Sequence, residues 1–481
     1  MLITLLILLS FILICVFCCL DLTKKIKLES PFLLTLYFIF MPHLPVFLYC
    51  LTIAKKLNFV EIITLWVSFV ILQLYSTLRL HFYPFRYNES GSPRLGILYG
   101  GRLLIKSSVL GMVLQLFYYI LFFQTKWFPI PLHDTKVVVF DTIYTFCFLY
   151  LFILNGTLRI LFTCKRLGIV KRFLICINMW IPILNLIFLH YMCRLTKDEY
   201  DLAVFRNTMT EIRKDSNICA TKYPIIFVHG IGFRDLKYFN YWGRIPRELK
   251  KNGSIVYYGH QKAWGTIEEN ASILVATIEK ALEETGASKV NIIAHSKGGL
   301  DSRYAISHLH MADKVASLTT ISTPHRGSKL IDVLNHLPDF LYRFIAGIIN
   351  HSAKQIGDEH PDCYHSSKQL APSYLNTFNE ENKDAPNVYY QSYASTMKNL
   401  FSHTLLAIPY LVMCMVDSNY NDGLVTIESA KWGNFKGTFQ NKRNRGISHG
   451  DMIDLKREDY SGFDVIESYI RIVEELKKLG Y

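Results

Sequence analysis

The hydrophobic pattern of the chain changes near residue 195. Before that point, long apolar runs are separated by short polar loops, and the runs lack the polar face of helices in soluble proteins. A bilayer-spanning helix needs ~20 apolar residues, which these runs reach or approach. The pattern therefore predicts an all-α transmembrane region over residues 1–195, with about six helices. The predicted spans are 2–20, 31–54, 59–78, 108–123, 137–162 and 173–193, and the fifth contains Asp141 and Arg159.

After this region, residues 196–220 have the charged composition of a linker, and a second domain is predicted over 221–481. There, short apolar runs rich in β-branched residues alternate with helical patterns. Strands that are apolar without interruption are typical of a parallel sheet covered by helices on both faces, which is an α/β fold. The predicted strands are 224–228, 254–258, 290–294, 315–322, 387–393 and 435–439, and the clearest helices are 268–284 and 298–310.

The positive charge belongs to the first region alone. Residues 1–197 hold 19 Lys and Arg against 6 Asp and Glu, whereas the rest of the chain holds 33 of each. Cations between apolar runs are typical of membrane loops, and no basic face remains on the second domain to predict nucleic acid as a partner. The loops after the first, third and fifth runs hold twelve Lys and Arg, against seven in the alternate loops and just after the sixth run. By the positive-inside rule, this bias predicts a multi-pass protein with its C-terminal domain on the non-cytoplasmic side.

A candidate nucleophile follows the third predicted strand of the second domain. The sequence there is Ala294-His-Ser-Lys-Gly-Gly299. Small residues two before and two after a serine suit a sharp strand-to-helix turn, which exposes the hydroxyl above the sheet edge. A helix beginning at Gly298 would direct its N-terminal amides toward Ser296. This pattern predicts Ser296 as a nucleophile.

A serine hydroxyl needs a base, and the base needs an orienting acid. In this topology the acid and then the histidine follow the serine along the chain. His449, the last histidine, follows the last predicted strand, while Asp422 lies at an Asp-Gly turn after an apolar stretch. Asp417 and Glu428 are nearby rivals for the acid. The upstream His229, His295 and His325 are predicted to be structural.

An oxyanion formed at Ser296 would also need two amide donors. The first strand ends in His229-Gly230, which directs the next amide to the carboxyl edge of the sheet. We therefore predict the N–H groups of Ile231 and Lys297 as the oxyanion donors.

Five motifs in this order resemble the bacterial triacylglycerol lipases of the Pseudomonas and Burkholderia type and their Gram-positive relatives. The resemblance covers roughly residues 220–475 and implies an α/β-hydrolase fold, a Ser296–Asp422–His449 triad and oxyanion donors at Ile231 and Lys297. The motifs are Tyr223-Pro-Ile-Ile-Phe-Val-His-Gly230, Ala294-His-Ser-Lys-Gly-Gly299, Thr323-Pro-His-Arg-Gly-Ser328, Asn421-Asp-Gly-Leu-Val425 and His449-Gly-Asp451.

Two departures from that family concern the site. Position 297 is a lysine, whose cationic side chain is expected to influence what the acyl pocket accepts. The resemblance also implies a structural calcium ion at Asp451, but residues 400–404, where a second ligand is expected, contain no carboxylate. Calcium is therefore a weak candidate, and no cofactor is predicted. The Asp- and His-rich stretch 358–365 fits a solvated loop better than a zinc site.

Two apolar segments have no place in the predicted sheet. In 330–349, apolar residues recur at helical spacing, which fits either core packing or a lid that covers the serine and opens onto lipid. A lid is predicted around 330–385. Segment 405–416, just before Asp422, is also apolar, and either segment could dip into the bilayer. The residues of the first stripe are Leu330, Leu334, Leu337, Leu341, Phe344 and Ile348.

Together these features predict a membrane-anchored serine lipase or esterase that cleaves triacylglycerol-like esters through an acyl-enzyme intermediate. Its expected partners are a lipid substrate and the bilayer. The first alternative is a phospholipase or acyltransferase acting on membrane lipids, because a triad sets the chemistry and not the leaving group. The second is a membrane transport or assembly protein that carries an inactive hydrolase module.

Overall fold

The structure of the chain is a computed structural model. It describes residues 12–13, 16–23, 30–53, 57–85, 92–125, 135–213, 216–233, 240–355, 357–441, 445–460 and 462–481. These residues divide into two compact units, Met1–Thr210 and Glu211–Tyr481.

The first unit is helical throughout its described length. A single 3₁₀ turn, Met41–His43, connects its first two helices. The helices are α1 Pro31–Phe40, α2 Leu44–Ile53, α3 Phe59–Phe82, α4 Pro93–Thr125, α5 Thr135–Thr163, α6 Ile169–Asn178 and α7 Pro182–Arg213.

Within the described residues, four helical stretches are long and apolar enough to cross a membrane. They are Pro31–Cys50, Phe59–Phe82, Pro93–Leu121 and Thr135–Thr163. These stretches match the second to fifth predicted spans. The stretch that matches the predicted span 108–123 begins at Pro93, well before residue 108. Of the first predicted span, 2–20, the structure describes residues 12–13 and 16–20, which are helical, and the rest of the span lies outside the described residues. The sixth is divided between α6 and α7 by a break at residues 179–181, so it is not one continuous helix.

Helices α4 and α5 approach each other closely where both carry glycine. A Cβ atom added to Gly101 would lie 2.8 Å from the carbonyl oxygen of Gly156, and one added to Gly156 would meet the Ile105 side chain at 2.8 Å. Small residues are what allow helix backbones to come this close in a membrane.

The second unit is built on a parallel sheet whose described strands follow the order β2-β1-β3-β4-β5-β6. The six predicted strands are all present, with shifts of one or two residues at their ends. They are β1 Ile225–Val228, β2 Val256–Tyr258, β3 Val290–His295, β4 Val315–Ile321, β5 Tyr389–Ser395 and β6 Asn434–Phe439.

Alternate residues of β1 point into two different cores. Ile225 and Phe227 pack in a cluster with the C-terminal helix, while Ile226 and Val228 pack on the opposite face. All four side chains are fully buried. This double burial explains why the strand has no polar positions, since neither face of the sheet meets water.

The second unit adds ten described helices, which cover the sheet and its carboxyl edge. The predicted helices 268–284 and 298–310 correspond to α9 and α10. They are α8 Ile245–Lys251, α9 Ile267–Thr285, α10 Gly298–Ser307, α11 Lys329–Asn335, α12 Asp339–Gln355, α13 Cys363–Lys368, α14 Pro372–Glu381, α15 Ala407–Val416, α16 Ile427–Ala430 and α17 Val465–Lys478.

The segment predicted as a linker, 196–220, is in part helical. Helix α7 continues to Arg213 because no proline or glycine interrupts residues 183–213. The charged composition of residues 196–213 thus belongs to a helix, and not to an extended connection.

Candidate active site at the carboxyl edge of the sheet

Ser296 occupies the sharp turn between β3 and α10. Its φ angle is +54°, in the left-handed region that non-glycine residues seldom adopt. Its amide donates to the carbonyl oxygen of Ile321 on β4 at 3.0 Å, which ties the strained turn to the neighbouring strand. Ser296 thus lies in a sharp strand-to-helix turn, which is the local geometry that the sequence predicts around it.

The glycines around the elbow are required by close backbone contacts. A Cβ atom on Gly298 would lie 2.7 Å from the carbonyl oxygen of Val228. One on Gly230 would lie 2.8 Å from the Cβ of Ser296 and 2.8 Å from the hydroxyl of Tyr241. The loop after β1 can therefore approach the serine only because both positions lack side chains.

Asp422 and His449 are brought together at the same edge of the sheet. Nδ1 of His449 lies 2.9 Å from Oδ2 of Asp422, and the His449 amide donates to the Asp422 carbonyl oxygen at 3.0 Å. The other carboxylate oxygen accepts the amides of Leu424 and Val425 at 3.1 and 2.9 Å. Burial would raise the pKa of Asp422, but the neighbouring His449 and these hydrogen bonds outweigh it and lower that pKa.

The two rival acids are engaged elsewhere. Asp417 forms an ion pair with Lys329 at 3.3 Å and accepts hydrogen bonds from Asn419. Glu428 pairs with Lys431 at 2.5 Å, and its side chain is 57 % exposed. Of the three acids, only Asp422 has a hydrogen bond to His449.

The three upstream histidines are buried among structural partners. His229 contacts the carbonyl oxygens of Gly230 and Gln261. His325 contacts the Thr320 hydroxyl at 3.1 Å, and its ring stacks on Trp432.

His295 contributes more than its predicted structural role suggests. Its ring centroid lies 4.4 Å from that of His449, and its Nδ1 lies 2.6 Å from the Tyr241 hydroxyl. Burial and the nearby His449 hold the pKa of His295 well below its usual range. The His449 ring therefore packs against a ring that burial keeps neutral.

The predicted oxyanion donors lie on either side of the serine turn. Ile231 directly follows the Gly230 that contacts Ser296, and Lys297 directly follows the serine. Within the described part of the chain, neither backbone amide donates to a protein acceptor. Both N–H groups are thus available to an oxygen atom bound beside Ser296.

The Lys297 side chain does not reach the acyl pocket, contrary to expectation. It is 1 % exposed, and Nζ forms an ion pair with Asp301 at 2.6 Å, one turn along α10. Burial raises the pKa of Asp301 to about 6, although Lys297 lowers it in part. The helical spacing of four residues directs the lysine along α10 and away from the substrate.

A cavity of about 220 Å³ adjoins Ser296. Helices α11 to α13 supply much of its lining, and no charged side chain lines it among the described residues. Cys363, Ser367 and Leu370 contribute from the C-terminal part of the segment predicted as a lid. Its other lining residues include Ile231, Trp264, Leu330, Leu334, Leu337, Tyr342, Ile345, Ile349, Leu424 and Val425.

The predicted apolar stripe of 330–349 is correct only in its first half. The segment forms two helices, because the chain breaks between Asn335 and Asp339 at a stretch that includes Pro338. The break shifts the helical phase, so Tyr342, Ile345 and Ile349 face the cavity. Phe344 and Ile348, expected over the serine, are 65 % and 54 % exposed.

The calcium candidate Asp451 is held by protein groups. Its carboxylate lies 2.9 Å from the Arg445 guanidinium and accepts the Ser448 amide at 3.0 Å. An arginine thus supplies the positive charge beside this carboxylate. Across the described ranges, no group of three or more Asp, Glu, His or Cys side chains is arranged to hold a metal ion, the 358–365 stretch included.

Two contacts of the site have no counterpart in the motifs. Ser395, at the end of β5, donates to Oδ2 of Asp422 at 3.3 Å. Tyr241 joins the loop after β1 to His295. Neither position carries a local signal in the sequence, because each becomes relevant only when distant segments meet at the sheet edge.

Comparison with known proteins identifies the family of the second unit. The family model of the alpha/beta hydrolase fold matches residues 223–443. Triacylglycerol lipase 2 of Saccharomyces cerevisiae is 31% identical over 271 residues, which cover 51% of this chain and 78% of the yeast protein. The chain belongs to the triacylglycerol lipase family of α/β hydrolases. It is thus a lipase/esterase-type hydrolase, as its motifs predict.

Bacterial members of the family match a shorter part of the chain. A triacylglycerol lipase of Burkholderia plantarii is 41% identical over 119 residues, which cover 24% of this chain and 32% of that lipase. Among solved structures, the mature Bacillus licheniformis lipase BlEst2 is 21% identical, with a TM-score of 0.39, covering 53% of this chain and 92% of that one.

Proposed function

We propose that this protein is a membrane-anchored serine lipase or esterase that hydrolyses carboxylic esters of lipids through an acyl-enzyme intermediate. The observation that carries the proposal is the buried Asp422–His449 hydrogen bond beside the strained turn of Ser296. These groups are the nucleophile, base and orienting acid that ester cleavage needs.

In the proposed reaction, the Ser296 oxygen attacks the ester carbonyl carbon as its proton passes to Nε2 of His449. The amides of Ile231 and Lys297 stabilise the resulting oxyanion. The carbon–oxygen bond to the alcohol then breaks, and His449 returns the proton to the departing alcohol. Water, deprotonated by His449, hydrolyses the acyl-enzyme and releases the fatty acid.

The composition of the cavity favours acyl chains of uncharged lipids. Its lining near Ser296 is apolar and contains no charged side chain among the described residues. We therefore propose triacylglycerol-like esters as the substrate class. A panel of tri-, di- and monoacylglycerols and phospholipids, assayed with the membrane-embedded protein, tests this choice. Faster hydrolysis of phospholipids than of acylglycerols would refute it.

The membrane location rests on two sets of apolar surfaces. Four described helices in the first unit have the length and composition to cross a bilayer. In the second unit, α15 exposes Ile408 and Met415 by 76% and 79%, and α12 exposes Phe344. We propose that the four helices anchor the chain, and that α12 and α15 dip into the lipid that supplies the ester.

Labelling with a fluorophosphonate tests the chemistry directly, because this probe reacts only with an activated serine. We expect the folded protein to be labelled at Ser296, and the Ser296→Ala variant to remain unlabelled. Ser302→Ala provides a matched control, since Ser302 lies in α10 and donates to the Gly298 carbonyl oxygen. A folded parent protein without label would refute the proposal.

The orientation in the membrane remains the prediction made from loop charge, with the hydrolase unit on the non-cytoplasmic side. Protease added to intact cells should then digest residues 211–481. Protection of that unit, with digestion after the cells are permeabilised, would place it in the cytoplasm.

A further inference from the structure

The helical unit contains a cavity that the proposed hydrolase does not use. Its volume is about 430 Å³, and helices α1, α2, α4 and α5 with the turn Met41–His43 surround it. This volume is in the usual range for small-molecule sites. Most of the lining is apolar, and three of the lining residues, His43, Gln115 and Asp141, belong to one hydrogen-bonded cluster.

Hydrogen bonds around His43 determine where the protons lie. Nε2 of Gln115 donates to the Ile39 carbonyl oxygen at 2.8 Å, so Oε1 of Gln115 faces Nε2 of His43 at 2.7 Å. Because that amide oxygen can only accept, Nε2 of His43 must carry a proton.

On the other side of the ring, Nδ1 of His43 lies 2.8 Å from Oδ2 of Asp141, which also accepts the Tyr119 hydroxyl at 2.7 Å. One proton is shared between Nδ1 and Oδ2. The pair is therefore neutral overall, whether it exists as imidazolium and carboxylate or as imidazole and carboxylic acid.

One buried oxygen of the cluster has no partner. Among the described residues, Oδ1 of Asp141 accepts no hydrogen bond, although the side chain is only 8 % exposed. An unpaired buried acceptor is costly, and a ligand that donates to it relieves this cost. An anionic ligand would instead be repelled by the Asp141 oxygen, and both nitrogens of His43 are already engaged.

The apolar rim indicates how such a ligand would reach the cluster. Phe40 and Phe47 line the cavity and are 67 % and 50 % exposed on the outer surface of the helices. In the proposed membrane location, acyl chains could extend past these side chains while a polar group enters the cavity. Polar groups buried between transmembrane helices commonly mark ligand or ion sites.

We propose that this cavity binds an uncharged lipid with a free hydroxyl group, and that the hydroxyl donates its hydrogen bond to Oδ1 of Asp141. Diacylglycerols and sterols share this chemistry, whereas triacylglycerols lack the hydroxyl and fatty acids and phosphatidic acid carry a negative charge. The access route rests on the proposed membrane location, but binding requires neither Ser296 nor hydrolysis.

The test uses the full-length Ser296→Ala protein in phosphatidylcholine nanodiscs, so that the probe is not hydrolysed. The probe is a diacylglycerol that carries a photoreactive diazirine and an alkyne on one acyl chain. We expect labelled peptides from α1, α2, α4 or α5. An excess of dioleoylglycerol or cholesterol should reduce labelling, and trioleoylglycerol and phosphatidic acid should not. The stronger competitor, dioleoylglycerol or cholesterol, identifies whether the cavity binds a diacylglycerol or a sterol.

Substitutions then test the role of Asp141. Asp141→Leu should lower labelling at least tenfold, whereas Ser76→Ala should leave it unchanged, because Ser76 bonds to Tyr37 and does not line the cavity. If Asp141→Leu fails to fold, Leu44→Trp decides, since it fills the cavity without removing a polar group. Unchanged labelling in a folded Asp141→Leu or Leu44→Trp protein would refute the proposal, as would equal competition by trioleoylglycerol.

Hydrolysis of a soluble ester by Asp141→Leu with Ser296 intact separates the two proposals. We expect normal hydrolysis together with lost labelling. If the parent protein is labelled but does not hydrolyse the ester, the lipase proposal fails and the lipid site stands.

Discussion

The two units of the chain distribute apolar and polar side chains in opposite ways. In the helical unit, large apolar residues such as Phe59 and Phe162 are 76 % and 80 % exposed, while Asp141 and Arg159 are buried. In the hydrolase unit, the apolar residues of β1, β3 and β4 are buried. Large exposed apolar side chains are concentrated on α12 and α15 and the turns before α15.

This difference follows from the solvent that each surface meets. A surface in lipid gains nothing from polar groups, so a membrane unit places its few charges inside, where they find partners. A surface in water must cover its core, so an exposed apolar patch there marks contact with a partner or a membrane. In the proposed membrane location, the exposed apolar side chains contact lipid around the helical unit and at α12 and α15 of the hydrolase unit.

The largest effect on ester hydrolysis is expected from a substitution in the polar interior of the hydrolase unit. Asp422→Asn should reduce ester hydrolysis on the order of 10³- to 10⁴-fold with the fold intact, because the amide holds His449 in the wrong tautomer. Steady-state hydrolysis of a soluble ester measures the loss. Asp417→Asn is the matched control and should retain activity within about threefold. Similar losses in both variants would contradict the assignment of Asp422 as the orienting acid.

A smaller effect is expected from the polar interior of the helical unit. The Arg159 guanidinium donates to the carbonyl oxygens of Leu80, His81 and Tyr83 at 2.8, 2.9 and 3.1 Å. Arg159→Leu removes these bonds at the end of α3, although His81 keeps its bond from Asn155, and should cost about 1–3 kcal/mol of unfolding free energy. Unfolding in mixed micelles measures the change. Leu158→Ala, at an exposed apolar position, should change it by less than about 0.5 kcal/mol if the polar interior is what stabilises this unit.

The pH dependence of stability provides a third test. Since the folded-state pKa of Asp422 lies below its unfolded value, the ionised group stabilises the fold above that unfolded value of about 3.9. This contribution is lost as the pH falls through the lower, folded-state pKa. The stability difference between the parent and Asp422→Asn should therefore shrink as the pH falls below about 5. Amide hydrogen exchange in β3 and β4 measures it, and a difference that grows on acidification would contradict the lowered pKa.

The smallest effect is expected at the exposed apolar patch. The double change Phe344→Ser and Ile348→Ser should lower hydrolysis of an emulsified long-chain ester about tenfold, through loss of roughly 1–2 kcal/mol of lipid contact. Hydrolysis of a soluble short-chain ester should be unchanged, because these side chains point away from the Ser296 cavity. Equal losses on both substrates would show that α12 supports the site and not the contact with lipid.

Local patterns predicted most of the fold correctly. Short apolar and β-branched runs located the six described strands, and the pattern is clearest in β1, whose side chains are buried on both faces of the sheet. The predicted cavity-facing residues of α12 were wrong. Pro338 indicates a break between two helices, but no local pattern indicates how the second helix is rotated relative to the first. A break at 179–181 divides the sixth predicted span between two helices, and hydropathy does not indicate such a break because it depends on composition alone.

The residues of the site also fall into two groups, those that local motifs predict and those that only the fold brings together. The order of Ser296, Asp422 and His449 could be found from sequence, because each residue lies in a motif with small or turn-forming neighbours. Ser395 and Tyr241 could not, since their partners Asp422 and His295 are distant in the chain. The Lys297–Asp301 ion pair differs, because its spacing of four residues at the start of a predicted helix is a local signal for such a pair.

The sequence by itself determined the two classes of unit, the strands and the order of the chemical groups, because these depend on local hydrophobicity and turn propensity. Tertiary structure alone decided which polar atoms meet. It bonded Asp422 and not Asp417 to His449, and it bonded His43 to Asp141, which lies 98 residues further along the chain. Such contacts depend on packing between distant segments, and no local pattern contains that information.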